Sequence, residues 1–364
     1  MVQSLIYIYL SVCVAMIIFN VVCIYVFHRR DKKLMKRSES FIEMVEEQIE
    51  AGEVDEKHRK QLTCKLTKIN NLMAFEETLD RIYEDKPDAI RAYIEALTPV
   101  FVYLTVEYTK KNKLKAAYFT YLIRKYGILR GQSISIVIRT MLTLVKDESL
   151  YCRENALQAL YAIGDADSIL EALKILDNNS LHHYSKMLTD GLLRFSGDYE
   201  KLDLRLWREY PKFSTGMKLV ILNYFRFSGR ALYHEQFLRL MTEPGQNDEI
   251  VFSCIRYFGR HAYEPALPFL YEYARVGDGK WEYAAISASA LATYPNLKTI
   301  ALLKDLLCNR NWYVRYNAAE SLERIGLSYD ELIDVFEGRD RYAAEMLRYR
   351  FDKKRIREGE AVPV

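Results

Sequence analysis

Three short stretches of the chain carry residue types that do chemistry in other proteins. Asp165-Ala166-Asp167 is an Asp-x-Asp sequence, a spacing that in some sugar transferases holds a metal and a nucleotide sugar. Here it directly follows Gly164. An Asp just after a helix-ending glycine serves as the N-cap of the next helix, because its carboxylate accepts orphan backbone N–H groups. His182 and His183 are adjacent, so on a helix they point about 100° apart and make poor co-ligands for one metal. Thr215-Gly216-Met217-Lys218 sets a hydroxyl three residues before an amine, but no partner motif of a nucleophile–lysine enzyme accompanies it. There is no phosphate loop, no HExxH, no GxSxG and no GxGxxG. The 28 tyrosines fall mostly at helical spacing, as core or groove residues; an aromatic platform for sugars is the alternative. The reading is a non-enzyme, with no catalytic residue, cofactor or metal ligand set assigned.

Composition agrees with a helical, intracellular protein. Gly (15) and Pro (8) are scarce in 364 residues, which favours long helices over a turn-rich β fold. Cys64, Cys152, Cys254 and Cys308 are widely spaced, with no CxxC pair, as suits a reducing compartment. The net charge of +3 hides segregation. Ser38 to Glu56 holds eight acidic residues and no basic one; Lys110 to Lys146 holds nine basic residues and no acidic one. A solvated surface is one reading of the basic stretch; contact with an acidic partner or anionic lipid is the other. Nucleic acid is poorly supported, because no recognition motif is present.

The elements that would position any site come from a repeat. Cys152 to Ile163, closed by Gly164, matches Val314 to Ile325, closed by Gly326. In both, an Arg stands eleven residues before the Gly, an Ala eight before, a small residue five before, Leu four before and Ile one before. Looser copies end at Gly197, Gly229, Gly259 and Pro295, giving intervals of 33, 32, 30, 36 and 31 residues. An earlier member ends at Tyr126-Gly127. Each unit reads as a helical hairpin: a first helix with apolar or small residues at i, i+3, i+4 and i+7, a left-handed glycine, then a second amphipathic helix such as Ile169, Leu170, Leu173 and Leu176. One hairpin cannot bury its apolar face alone, so the units are expected to stack into a solenoid.

These two segments resemble bacterial HEAT repeats of the short kind also found in phycobilisome-lyase-like proteins. The resemblance covers about Lys115 to Gly338. It implies that Arg153 and Arg315 contact Asp147 and Asn309, six residues before each, and so tie one repeat to the next. The ~32-residue period is shorter than that of longer HEAT and armadillo units, and the units around Phe195 and Phe227 lack the Arg.

Ahead of the repeats, Met1 to Phe27 carries no charged side chain, whereas the next ten residues include Arg29, Arg30, Lys32, Lys33, Lys36 and Arg37. About 20 apolar residues cross a ~30 Å hydrocarbon core as a helix. The basic run after the span favours a cytoplasmic C-terminal side and contact with anionic lipid, with the N-terminus outside at the plasma membrane. A signal peptide fits less well, since nothing positive precedes the core and no small-x-small site follows it. Ser4, Ser11 and Ala15 share one face of this helix and could let a second transmembrane helix approach closely.

The expected fold class is all-α, with a single N-terminal transmembrane helix followed by an α-solenoid of stacked HEAT-like hairpins. The expected segments are 1–28 as anchor, 29–86 as charged helical stalk and N-terminal cap, 87–338 as solenoid, and 339–364 as C-terminal capping helix and tail. The function this implies is a membrane-tethered cytoplasmic scaffold that binds a protein partner, itself a membrane protein. Membrane-anchored HEAT proteins of this outline accompany membrane glycosyltransferases of surface polysaccharide synthesis in bacteria, so the resemblance points to such a partner. A lyase or sugar-modifying enzyme built on the repeats, and a nucleic-acid-binding solenoid, are the competing readings.

Overall fold

The computed structural model describes residues 2–178, 184–230 and 233–358, with the backbone alone at 2–6, 278 and 353–358. Among the described residues there is no strand, and twenty α-helices follow one another. They fall into two compact units: residues 1–182 with 194–205, and residues 183–193 with 206–364.

In the first unit the helices are α1 (Val2–Ala51), α2 (Glu56–Leu66), α3 (Ile69–Asp85), α4 (Pro87–Ala96), α5 (Thr98–Thr109), α6 (Lys113–Lys125), α7 (Ser135–Val145), α8 (Leu150–Ile163) and α9 (Ala166–Asn178). Fifty residues of α1 make a rod about 75 Å long. Its apolar half, Tyr7 to Phe27, is exposed almost throughout and is long and apolar enough to cross a membrane. Its charged half packs on α3. There Phe41 meets the edge of Phe75 at 5.7 Å, and the buried Ser38 and Thr78 hydroxyls share a 3.1 Å hydrogen bond. The pair α4–α5 is also apolar but bends by 67°, and Val100, Phe101 and Leu104 are buried in the core. From α5 onward a regular order sets in: α5 packs on α7, α6 on α8, and α7 on both α8 and α9.

The second unit begins with α10 (Ser185–Leu193), and the boundary falls inside α11 (Tyr199–Glu209). Then come α12 (Thr215–Phe227), α13 (His234–Thr242), α14 (Asp248–Phe258), α15 (Leu267–Ala274), α16 (Trp281–Leu291), α17 (Leu297–Leu307), α18 (Trp312–Ile325), α19 (Ile333–Phe336) and α20 (Arg341–Glu358). Every second helix packs on the next: α10 on α12, α12 on α14, α14 on α16, α16 on α18, α18 on α20. The others lean on this layer, α13 on α14, α15 on α16 and α17 on α18. Aromatic side chains fill the space between, with Phe237 and Tyr257 stacked at 3.7 Å and Trp207 on Phe225 at 4.8 Å. Arg350 of α20 is buried against α18, where it meets Glu320, Glu323 and the Tyr316 hydroxyl.

Helix starts follow the sequence. Asn112, Ser214, Asn247, Asn296 and Asn311 each accept a backbone N–H from the first turn of the helix they precede. The repeat glycines serve two purposes rather than one. Gly164 and Gly326 end α8 and α18 in the left-handed region, at φ 82° and 88°. Gly259 ends α14 at φ −72°, which any residue adopts. What requires glycine there is space, since a Cβ would lie 2.8 Å from the Ala290 Cα of α16.

Candidate anion-binding clefts

The near-miss motifs resolve into helix ends. Asp165 caps α9, its carboxylate accepting the Ser168 N–H at 2.7 Å, and Asp167 pairs with Lys201 and Arg205 at 2.8 Å each. Ser214 caps α12, so Thr215 to Lys218 is that helix's first turn. His182 and His183 lie outside the described residues.

Arg153 and Arg315 occupy twin positions. Arg153 Nη1 donates to the backbone carbonyls of Asp147 and Glu148, both at 2.9 Å. Arg315 Nη1 donates to those of Asn309 and Arg310, at 2.8 and 3.3 Å. The partner residues are those the resemblance implies, but their backbones are what the arginines touch. The Asp147 and Asn309 side chains are turned to their own loops, accepting the N–H of Ser149 and Asn311. Each arginine therefore staples the loop that precedes its helix.

On α1, Ser11 and Ala15 are exposed, and the Ser11 hydroxyl donates to the Ile8 carbonyl at 2.8 Å. The Ser4 side chain lies outside the described residues. Arg29, Arg30, Lys32, Lys33, Lys36 and Arg37 are exposed, with no ion pair to any described residue. Three of them, Arg30, Lys33 and Arg37, line a notch of about 370 Å³ with Asn70 and Met73 of α3.

Elsewhere in the first unit, three of the nine basic residues of 110–146 are ion-paired. Lys110 pairs with Glu107 at 2.6 Å, Lys113 with Asp147 at 3.2 Å, and Lys125 with Glu76 and Asp80 at 2.7 and 2.6 Å. Arg124, Arg130, Arg194, Tyr161 and Gln158 line a cleft of about 480 Å³ beside it.

The second unit holds a cleft of a different kind, of about 400 Å³, lined by Arg226, Arg256, Arg260 and Arg324 with Phe227, Asn317 and Ser289. The close approach of α14 to α16 at Gly259 and Ala290 forms its floor. None of the four guanidiniums makes a hydrogen bond or ion pair to a described residue. Partial burial lowers the Arg226 pKa, and the charges of Arg256 and Arg260 lower it further. Desolvation lowers that of Arg256 as well, against the pull of Glu249. Arginine stays cationic at physiological pH through such shifts. The Phe227 ring takes up part of the repulsion, lying 4.2 Å from the Arg226 guanidinium and 5.3 Å from that of Arg260. Such a cluster accepts carboxylates or phosphates in bidentate geometry.

Sequence reading passed over these four residues. A signal for two of them was present: Arg226 and Arg256 each stand three residues before a repeat glycine, as do Arg124 and Arg194. They stand 30 to 70 residues apart, so no run of charge marks them. Among the described residues, no group of three or more His, Cys, Asp or Glu could hold a metal. No family model matches the chain, and no curated protein matches it.

Proposed function

We propose that this protein is a membrane-tethered scaffold whose HEAT-like solenoid binds an acidic segment of a protein partner in the arginine cleft of the second unit. The observation that carries this is the cleft itself: four guanidiniums converge on one open surface with no carboxylate of their own. Mutually repelling cations gain most when a polyanion arrives, because it removes their repulsion and supplies charge-assisted hydrogen bonds. The next-but-one packing of α10 to α20 supports the solenoid reading, since stacked hairpins present one helix of each pair along a common face.

The apolar half of α1 supports the tether, and the exposed basic run after it supports a cytoplasmic solenoid beside anionic headgroups. Confinement to the membrane plane raises the effective concentration of a membrane partner. A membrane glycosyltransferase fits this outline through the family resemblance.

The test is co-purification from detergent-solubilised membranes. The wild-type chain should bring down a membrane protein with an acidic cytoplasmic segment, and Arg226→Glu/Arg256→Glu/Arg260→Glu should lose it while keeping its melting temperature. Equal recovery by both would reject the cleft as the docking surface. Protease added to spheroplasts should leave the solenoid whole; cleavage there would reject the orientation.

A further inference from the structure

We propose that one occupant of the arginine cleft is the glutamate face of α1 from a second copy of this chain, so that copies associate head to tail in the membrane plane. This rests on reading the cleft as a seat for acidic protein.

The acidic face is specific. Glu39, Glu43, Glu47 and Glu50 are exposed and stand at i, i+4, i+8 and i+11, one stripe of α1. The opposite face, Ser38, Phe41, Val45 and Gln48, is buried. None of the four carboxylates has an ion pair with a described residue. Like charges at i, i+4 destabilise a helix, so this stripe costs stability in the free chain. The guanidinium cluster carries the same kind of cost. Joining the two surfaces relieves both.

The spacings agree. Glu43 and Glu50 are seven residues apart, about 10.5 Å along the helix. Arg226 and Arg256 come from α12 and α14, adjacent in their layer, and packed helices lie about 8–10 Å apart. Two carboxylates of one stripe can therefore meet two guanidiniums, with α1 lying across the open cleft. Both surfaces occur on each molecule in equal number, and the anchor holds all copies in one orientation in the same plane. A contact between two different surfaces is heterologous, so it builds rings or open chains rather than closed dimers.

The test uses the full chain in detergent, with its mass followed by sedimentation at low and high salt. Wild type should form oligomers at low salt that dissociate at high salt. Reversing the cleft (Arg226→Glu/Arg256→Glu/Arg260→Glu) or the stripe (Glu39→Lys/Glu43→Lys/Glu47→Lys/Glu50→Lys) should weaken association by roughly tenfold or more. Mixing the two reversed variants should restore assembly, because each supplies the charge that the other's reversed surface needs. That rescue also shows that both variants fold. A wild-type chain that stays monomeric at low salt, or reversed variants that assemble like wild type, would overturn the proposal. Binding of a labelled hexaglutamate peptide, measured in parallel, separates the two ideas. A monomer that binds the peptide through Arg226 and Arg256 keeps the acidic-partner reading and loses self-association. A monomer that does not bind it loses both.

Discussion

The basic cleft of the first unit and that of the second are built from the same repeat position, yet they differ in what surrounds the arginines. Arg124 and Arg194 in the first, like Arg226 and Arg256 in the second, stand three residues before a repeat glycine. Beside the first cleft, Glu76 and Asp80 of α3 hold Lys125, and Glu154 holds Gln158. Around the second, four guanidiniums face one another with no carboxylate in ion-pair range. A high count of basic residues in sequence is therefore a poor guide to where positive potential is available. The stretch 110–146 holds nine basic residues and no acidic one, yet three of them are paired with carboxylates of their own unit.

The largest expected effect follows directly. Reversing Arg226, Arg256 and Arg260 should reduce hexaglutamate binding by roughly tenfold or more, with a shallower salt dependence. Reversing Arg124 and Arg130 should change it less than about threefold, within the range of exposed charges. Equal losses would mean that the two clefts are equivalent and that local neutralisation does not matter.

Next comes the floor of the second cleft. Gly259→Ala places a methyl against the Ala290 backbone, so it should cost about 1–3 kcal/mol and force α14 from α16. Its expected signature is a lower melting temperature together with weaker peptide binding, with no change in amide exchange in α3 to α8. Gly326→Ala, which meets open space but sits at φ 88°, should lower stability with a smaller loss of binding, since only Arg324 of the cleft arginines lies on the helix it ends. A calorimetric scan of both variants beside a binding titration checks this pair.

The twin staples should show a smaller contrast. Arg153 is buried with two 2.9 Å bonds, whereas Arg315 is half-buried with one bond stretched to 3.3 Å. Arg153→Ala should cost roughly 1.5–3 kcal/mol and raise amide exchange in α7 and α8, and Arg315→Ala roughly half as much. If Arg153→Ala leaves stability intact but abolishes association, the arginine is a binding residue and not a staple.

The smallest effect is one of pH in the first unit. Burial lowers the His58 pKa, only partly opposed by Asp55 and Glu47, and its ring nitrogen Nε2 lies 2.7 Å from the Tyr93 hydroxyl. The unfolded chain then binds this proton more readily than the folded one. Stability should fall as pH drops below about 6.5, the unperturbed histidine value, and level off below the folded pKa. Chemical denaturation across that range should show the slope in wild type and a flatter one in His58→Gln.

Much of this protein is legible in one dimension because the causes are local. The uncharged N-terminal stretch forms the apolar half of α1, and Gly52, at φ 74°, follows the end of that helix. Caps such as Asn112 and Asn296 act within one turn, so residue type and position suffice. The period of about 32 residues shows in the glycines because each helix must end before the next can fold back. Tertiary structure decided what depends on neighbours distant in sequence. It turned Gly259 from a left-handed cap into a point of close approach, and it directed Arg153 to the backbone of Asp147 instead of its carboxylate. It also gathered Arg226, Arg256, Arg260 and Arg324 from three helix ends into one cleft. Charge is additive along a sequence, but its potential depends on which opposite charges fold beside it, and only packing brings Glu76 to Lys125 while leaving Arg226 without a carboxylate.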